Sequence, residues 1–304
     1  MAGELPRNGK LLALAQQHTT DQALADFLGV PRTTLRDHIY RLGMREAINA
    51  ARELPDTEEP VEMPLIQRDY SHETRHYLYA IGDVHIGAKS HHAKMWQQWL
   101  DFLLAKDNAS LLGTGDFLNT AILGSKSDVY DEKMTVGEAK RLLIDQLRPL
   151  ADAGRIDALM PGNHEDRITR AIGDCPVRDV ADALSVPYVE AAGMFLYQVG
   201  AVQYRCFMRH GTGNGQALSA LTKGRSVIPA DIYITGHTHR QQVLAEDVFD
   251  VDSNRVGRKK WYAVSAGSFL GYEKYAAQRG YSPGRLGAPR IFMDGKRHDM
   301  HVSI

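Results

Sequence analysis

Five times between residues 77 and 239 a short apolar run breaks, within a few residues, into aspartate, asparagine or histidine: YLYAI runs into GDVHIG, ASLL into GTGDFLN, ALM into PGNHEDR, CFM into RHG and IYIT into GHTH. Runs of three to five apolar residues, rich in β-branched and aromatic types and followed by glycine or a polar break, read as buried strands that end in sharp turns. Helical periods over 91–104 and 133–153 separate the first three, and strand-to-helix alternation implies a layered α/β domain. Open sheets of that kind place their ligands at the carboxyl ends of the strands. Each of the five polar clusters is therefore expected at a strand end, where such sheets present ligand sites.

The segments before and after this region have different textures. Residues 8–43 read as three short helices: Leu11, Leu12, Leu14 and Ala15 give the first an apolar face. Thr20 or Asp21 can cap the second, which carries Leu24, Ala25, Phe27 and Leu28 and stops at Gly29. The third opens with Pro31, places Leu35, Ile39 and Leu42 at helical spacing, and stops at Gly43. The stretch LGVPRTTLRDHIYRLGM resembles the helix-turn-helix of the Fis-type DNA-binding family. The resemblance implies that Arg32, Thr33, Thr34 and Arg36 face DNA. It covers about 20 residues of a common pattern, and a helical module for protein contact or dimerisation is the other reading. Residues 45–76, with their prolines, acidic cluster and lack of a sustained period, read as a linker. Beyond residue 194 paired strands take over: Gly200 marks one turn and Asp294-Gly295 another. The expected organisation is a helical module at 1–44, a linker at 45–76 and a large domain at 77–304.

Taken in order, D-x-H, G-D, G-N-H-E, H and G-H-x-H resemble the ligand series of the calcineurin-like metallophosphoesterase superfamily over most of residues 77–304. The resemblance implies a sheet sandwich flanked by helices, preceded here by the small all-α module. It also implies roles. Asp83, His85 and His239 would hold one divalent ion, Asn163, His210 and His237 a second, and Asp116 would bridge them. Oxygen and imidazole donors without thiolate suit manganese first, with iron and zinc as the others. Two such cations about 3.5–4 Å apart would neutralise phosphate oxygens and acidify a water. His164 would be the catalytic histidine that is not a ligand. Its orienting partner would be Asn119, where many members of the superfamily carry an acid. An amide can orient an imidazole but cannot stabilise its cation as a carboxylate would.

Other features weigh less. His91 and His92 read as a solvated helix start. Trp96 and Trp99 read as core, Cys206 as buried packing and Glu165 as structural. The HGTGNGQ stretch lacks a P-loop lysine and Rossmann spacing and reads as a loop around a ligand. Arg167, Lys223 and Arg225 are surface charges within reach of a phosphate reading. A net charge of -1, with 43% hydrophobic and 24% charged residues, describes a globular protein without a general basic coat. Two cysteines outside a CxxC pair and no apolar run of spanning length point to a cytoplasmic protein with reduced thiols and no membrane partner. A homo-oligomer stays open. The leading functional expectation is a two-metal phosphodiesterase or nuclease with DNA as partner. The alternatives are a phosphatase on protein or small phosphoesters, and a non-catalytic DNA-binding regulator.

Overall fold

The computed structural model describes residues 5–6, 8–18, 20–51, 63–122, 125, 129–211, 222–252, 255–272, 274–278, 280 and 284–304. The chain divides into two compact units, Met1–Glu62 and Met63–Ile304.

In the first unit, α1 (Asn8–Gln17), α2 (Asp21–Leu28), α3 (Arg32–Arg41) and α4 (Arg45–Ala51) enclose one apolar cluster. Leu11, Ala15, Leu24, Ala25, Leu35, Ile39, Met44 and Ile48 form it. Thr20 is the cap of α2, its side chain accepting the Ala23 N–H at 3.1 Å. Gly29 follows at φ 65, the left-handed conformation that glycine adopts without penalty. The linker reading misses α4: Arg45 forks onto both oxygens of Asp21 at 3.1 and 2.9 Å, and Ile48 joins the core. A seven-residue helix held by contacts to α2 leaves little periodic signal of its own.

The second unit is two mixed sheets packed face to face. The six-stranded sheet has β1 (Leu65–Tyr70), β5 (Ala192–Val199), β6 (Val202–Arg209), β7 (Ile232–Thr235), β8 (Gln242–Asp252) and β9 (Arg255–Ser265), in the order β1-β5-β6-β7-β9-β8. The five-stranded sheet has β2 (Arg75–Ile81), β3 (Ala109–Gly113), β4 (Ile156–Leu159), β10 (Arg290–Asp294) and β11 (Met300–Ser303), in the order β11-β10-β2-β3-β4. Side-chain alternation sorts the core. Leu78, Ala80, Leu112 and Ala158 of the smaller sheet meet Tyr204, Cys206, Met208, Ile232, Ile234 and Val264 of the larger. The intervening residues Tyr79, Ile81, Leu111 and Ile156 pack instead against α5 (Ala93–Leu104), α6 (Val136–Asp152) and α7 (Pro176–Leu184). The expected sandwich flanked by helices is the architecture found. Trp96 is fully buried, with its indole N–H on Gln146. Cys206 is buried and Cys175 half-buried, both as free thiols. Among the described residues no helix is long and apolar enough to cross a membrane.

Three sequence boundaries move. β1 lies inside the segment expected to be linker, because its parallel pairing with β5 joins residues about 130 positions apart and its exposed-then-covered pattern is that of an edge. α5 and α6 start two and three residues later than their apolar periods suggest. For α6 the reason is a capping box, in which Thr135 and Glu138 satisfy each other's backbone N–H groups.

The consequence for the site is directional. β2, β3 and β4 are mutually parallel, as are β6 and β7, so their carboxyl ends gather at common edges.

A charged cluster ties the larger sheet to the terminal hairpin. Asp231, 1% exposed, accepts the Arg205 N–H at 2.7 Å and lies 2.6 Å from Lys259 Nζ, with His298 Nε2 at 3.5 Å. Burial alone would raise its pKa, but hydrogen bonds from His298 and Lys259 hold the carboxyl well below the usual range. A depressed carboxyl contributes stability above its unfolded pKa and loses it as pH falls through the folded value. Asp231→Asn should therefore lower unfolding free energy by about 2 kcal/mol at neutral pH. The gap, read by urea titration, should stay level down to about pH 5 and narrow below pH 4.

Candidate metal centre

Each residue expected at the metal centre sits just past a strand end. Asp83 and His85 follow β2, Asp116 and Asn119 follow β3, and Asn163 and His164 follow β4. His210 follows β6, and His237 and His239 follow β7. The structure brings them into two groups. The ligating atoms of Asp83, His85, Asp116 and His239 lie within 4.8 Å of one another, as do those of Asp116, His210 and His237. Asp116 belongs to both. Asn163 stands in the second group, its Oδ1 2.5 Å from His237 Nδ1 and 3.2 Å from His210 Nε2.

Local backbone shape makes this convergence possible. Seven described non-glycine residues have positive φ, and five are Asp83 (49), His85 (53), Asp116 (55), His237 (72) and His239 (55). The left-handed region costs an L-residue roughly 1–2 kcal/mol, and aspartate, asparagine and histidine are the types that enter it most readily after glycine. Turning left there swings alternate side chains inward. This is how the two histidines of GHTH, one residue apart, reach different groups. The close approach also needs glycine: a Cβ on Gly162 would lie 2.1 Å from Asp116 Oδ1 and 2.5 Å from its backbone N.

One backbone carbonyl and several side chains set the orientation of the imidazoles. His210 donates Nδ1–H to the Thr114 carbonyl at 2.6 Å, which turns Nε2 toward Asp116 Oδ2 at 3.3 Å. His85 Nδ1 faces Asn119 Oδ1 at 3.3 Å, leaving its Nε2 3.1 Å from His239 Nε2. His239 Nε2 is in turn 3.4 Å from Asp83 Oδ1. Ligand atoms spaced 3.1–3.4 Å apart form the edges of a polyhedron around a cation with bonds of about 2.1 Å.

The electrostatics also fit a cation. Asp83 and Asp116 are 0% and 1% exposed. Burial, reinforced by Asp116, pushes the Asp83 carboxyl well up, even against the pull of His210. Burial would raise Asp116 as well, but His210 and His164 hold it well below the usual carboxylate range. Burial and neighbouring rings push His85 far down. Desolvation brings His239 to about 4. For His210 burial is overridden by Asp116, which lifts it to about 10. Desolvated carboxylates, two imidazoles that resist protonation (His85 and His239) and one that draws a proton beside Asp116 (His210) form a donor set whose missing positive charge a divalent ion supplies.

His164 stands apart from the ligands. Its backbone N–H donates to Asp116 Oδ1 at 2.8 Å, and its ring meets that of His85 edge-on at 4.3 Å. Its Nδ1–H donates to the backbone carbonyl of Asn119 at 2.6 Å, not to the side chain. The orienting group is thus main chain, and the Asn119 amide turns away to His85 and to Glu132 Oε1, 2.6 Å from Nδ2. Arg167 Nη2 donates to His164 Nε2 at 3.1 Å. Burial lowers the pKa of His164.

Two residues matter more than sequence indicates. Glu165, fully buried, accepts N–H groups from Asp116, Leu118 and Gly162, and burial raises it to about 7. Glu132 carried no motif at all. Elsewhere, His91 is half-buried with Nδ1–H on the Val84 carbonyl, so it is not a solvated end. Arg225 lies over Trp261 and near Glu246. Most of the HGTGNGQ loop, residues 212–216, lies outside the described residues.

No family model matches the sequence, and no curated protein matches it. Among solved structures the chain is similar to Vacuolar Protein Sorting 29 from Cryptosporidium parvum, at 15% identity and a TM-score of 0.41, over 76% of this chain and 97% of that one. It is also similar to a metallophosphoesterase from Sphaerobacter thermophilus, at 13% identity and a TM-score of 0.31, over 75% and 88%.

Because Gly162 touches the carboxylate shared by both groups, Gly162→Ala should strip metal from both while the fold persists. Gly257→Ala, where a Cβ meets nothing within 4 Å, is the control. Metal content by mass spectrometry beside circular dichroism checks this: full metal content in Gly162→Ala would contradict it.

Proposed function

We propose that the protein is a two-metal phosphoesterase that hydrolyses phosphodiester bonds, with DNA as its substrate class. The observation that carries the first part is the pair of Asp/His groups sharing Asp116, with a histidine outside the ligand set beside them. Asp83, His85 and His239 would hold one cation and Asn163, His210 and His237 the other, with Asp116 common to both. Divalent ions bound there supply neutralisation of phosphoryl oxygens and acidification of the attacking water; manganese suits the oxygen and imidazole donors.

The chain's own groups do the rest. Arg167 brings a guanidinium next to His164 and suits a phosphoryl oxygen. The Asn119 carbonyl holds Nδ1–H of His164, so a proton taken up by the ring resides at Nε2 once Arg167, which donates to that nitrogen, turns to the phosphoryl oxygen. The lowered pKa makes that proton easy to release to a leaving oxygen. His164→Ala should leave metal content intact and cut turnover by about 10²–10³ for a diester with an alkoxide leaving group. The loss should be much smaller for bis-p-nitrophenyl phosphate, whose leaving group needs no proton. Equal losses on both would remove the general-acid role.

The DNA assignment is supported by the first unit. α3 buries Leu35 and Ile39 while Arg32, Thr33, Thr34 and Arg36 stay exposed on its other side, as a helix entering a major groove requires. Tethering such a helix to a phosphodiesterase would raise the local concentration of DNA at the metals. Replacing Arg32 and Arg36 together by alanine should flatten the salt dependence of DNA binding, reducing the slope of log K against log salt by about 1.8. Hydrolysis of the chromogenic diester should not change. An unchanged slope would move the unit to protein contact, and a preference of the manganese-loaded protein for p-nitrophenyl phosphate over diesters and DNA would make it a phosphatase.

A further inference from the structure

Glu132 lies outside every motif, yet its side chain reaches the hydrogen-bond chain behind His85. Its backbone forms a β-bridge with Ala88, and Lys133 N–H donates to the Gly87 carbonyl at 2.7 Å, so the segment is fastened to the loop that carries His85. Gly87, at φ 108, leaves room for it: a Cβ there would stand 2.6 Å from Glu132 Oε2. Glu132 Oε1 accepts Asn119 Nδ2 at 2.6 Å and the Ala121 N–H at 3.0 Å.

The polarity of this chain follows from donor and acceptor inventories. A carboxylate only accepts, so Asn119 must turn its NH₂ toward Glu132. The amide oxygen is then the edge that faces His85 Nδ1, at 3.3 Å. A carbonyl oxygen accepts only from a protonated nitrogen, so the His85 proton sits on Nδ1. Nε2 is left with a lone pair facing Asp83, Asp116 and His239. If the amide turned over, its NH₂ would face Nδ1, the proton would move to Nε2, and the ring would present a donor where a ligand is needed.

We propose that Glu132, acting through the Asn119 amide, sets the tautomer of His85 and so readies its Nε2 for a metal ion. Glu132 is a positioning residue. The inference deepens the phosphoesterase reading, on which its functional meaning rests, but the tautomer is a property of the metal-free chain. Glycine at 87, the Ala88 bridge and the Ala121 bond all serve to hold one acceptor oxygen in front of one amide.

The test uses full-length metal-free protein at pH 8, with ring ¹⁵N chemical shifts reporting the tautomer and manganese(II) affinity as a second readout. Wild type and Glu132→Gln, which keeps an acceptor oxygen, should both show His85 as the Nδ1–H form. Glu132→Ala frees the amide and should give a mixture of tautomers, with manganese affinity about tenfold lower. Adding Asn119→Asp to Glu132→Ala should restore the Nδ1–H form and the affinity, because a carboxylate has no donor edge to misplace. A purely structural role for Glu132 would not be rescued in this way. A pure Nδ1–H form in Glu132→Ala, or no recovery in the double variant, would overturn the proposal. If no phosphoester is hydrolysed while the tautomer responds as described, the phosphoesterase reading fails and the positioning role stands.

Discussion

The site depends on a carboxylate that is not expected to touch any ion. Glu165 has no exposed surface, and it spends its acceptor capacity on the N–H groups of Asp116, Leu118 and Gly162. Two of those groups follow β3 and one follows β4. Two loops that would otherwise carry orphaned amides into a dry interior are thereby joined through one side chain. The joint fixes the distance between Asp116 and the Asn163–His164 pair, and every later feature of the centre inherits it. Across the sandwich the same logic recurs with fewer bonds. His210 reaches Thr114, and the His237 amide reaches both oxygens of Asp83 at 3.2 and 3.0 Å. The two sheets are held by apolar packing in the middle and by polar bonds at the rim, so the rim cannot shift without loosening the ligands.

The part of this that sequence carries is the part written in short-range contrasts. An apolar run giving way to Asp83, Asp116, Asn163, His210 or His237 is visible because strand and turn lie side by side in the chain. The parallel pairing of β2, β3 and β4 follows from strand–helix alternation. What stays hidden is non-local. β1 has no identity until it pairs with β5, and α4 has none until Arg45 meets Asp21. β8 and β9 form a hairpin of two 11-residue strands whose outer half mixes acidic, basic and apolar residues without a buried face, so hydrophobic periodicity does not mark it. Asn119 shows the limit most clearly. Its type and position suggest a side chain aimed at His164, whereas the structure uses its carbonyl for His164 and its amide for His85. No pattern of residue types separates a side-chain acceptor from a main-chain one.

The tautomers make the same point in chemical terms. Each ring nitrogen that is to stay bare is chosen by what its opposite nitrogen meets: the Thr114 carbonyl for His210 and the Asn119 amide for His85. The carbonyl has a fixed polarity, whereas the amide has two faces and needs a neighbour to choose between them. A centre that substitutes an amide for a carbonyl or carboxylate must bring in another acceptor, and Glu132 stands where that acceptor is required.

The left-handed residues carry a longer-term consequence. Asp83, His85, Asp116, His237 and His239 each hold a backbone shape that glycine would adopt more cheaply. At these five positions chain stability and ion binding pull in opposite directions. Under selection for folding alone, with no demand on the chemistry, drift toward glycine would relieve strain and erase ligands in the same step. The cost of placing aspartate and histidine there is held in the dihedral angles of the turns as much as in the side chains.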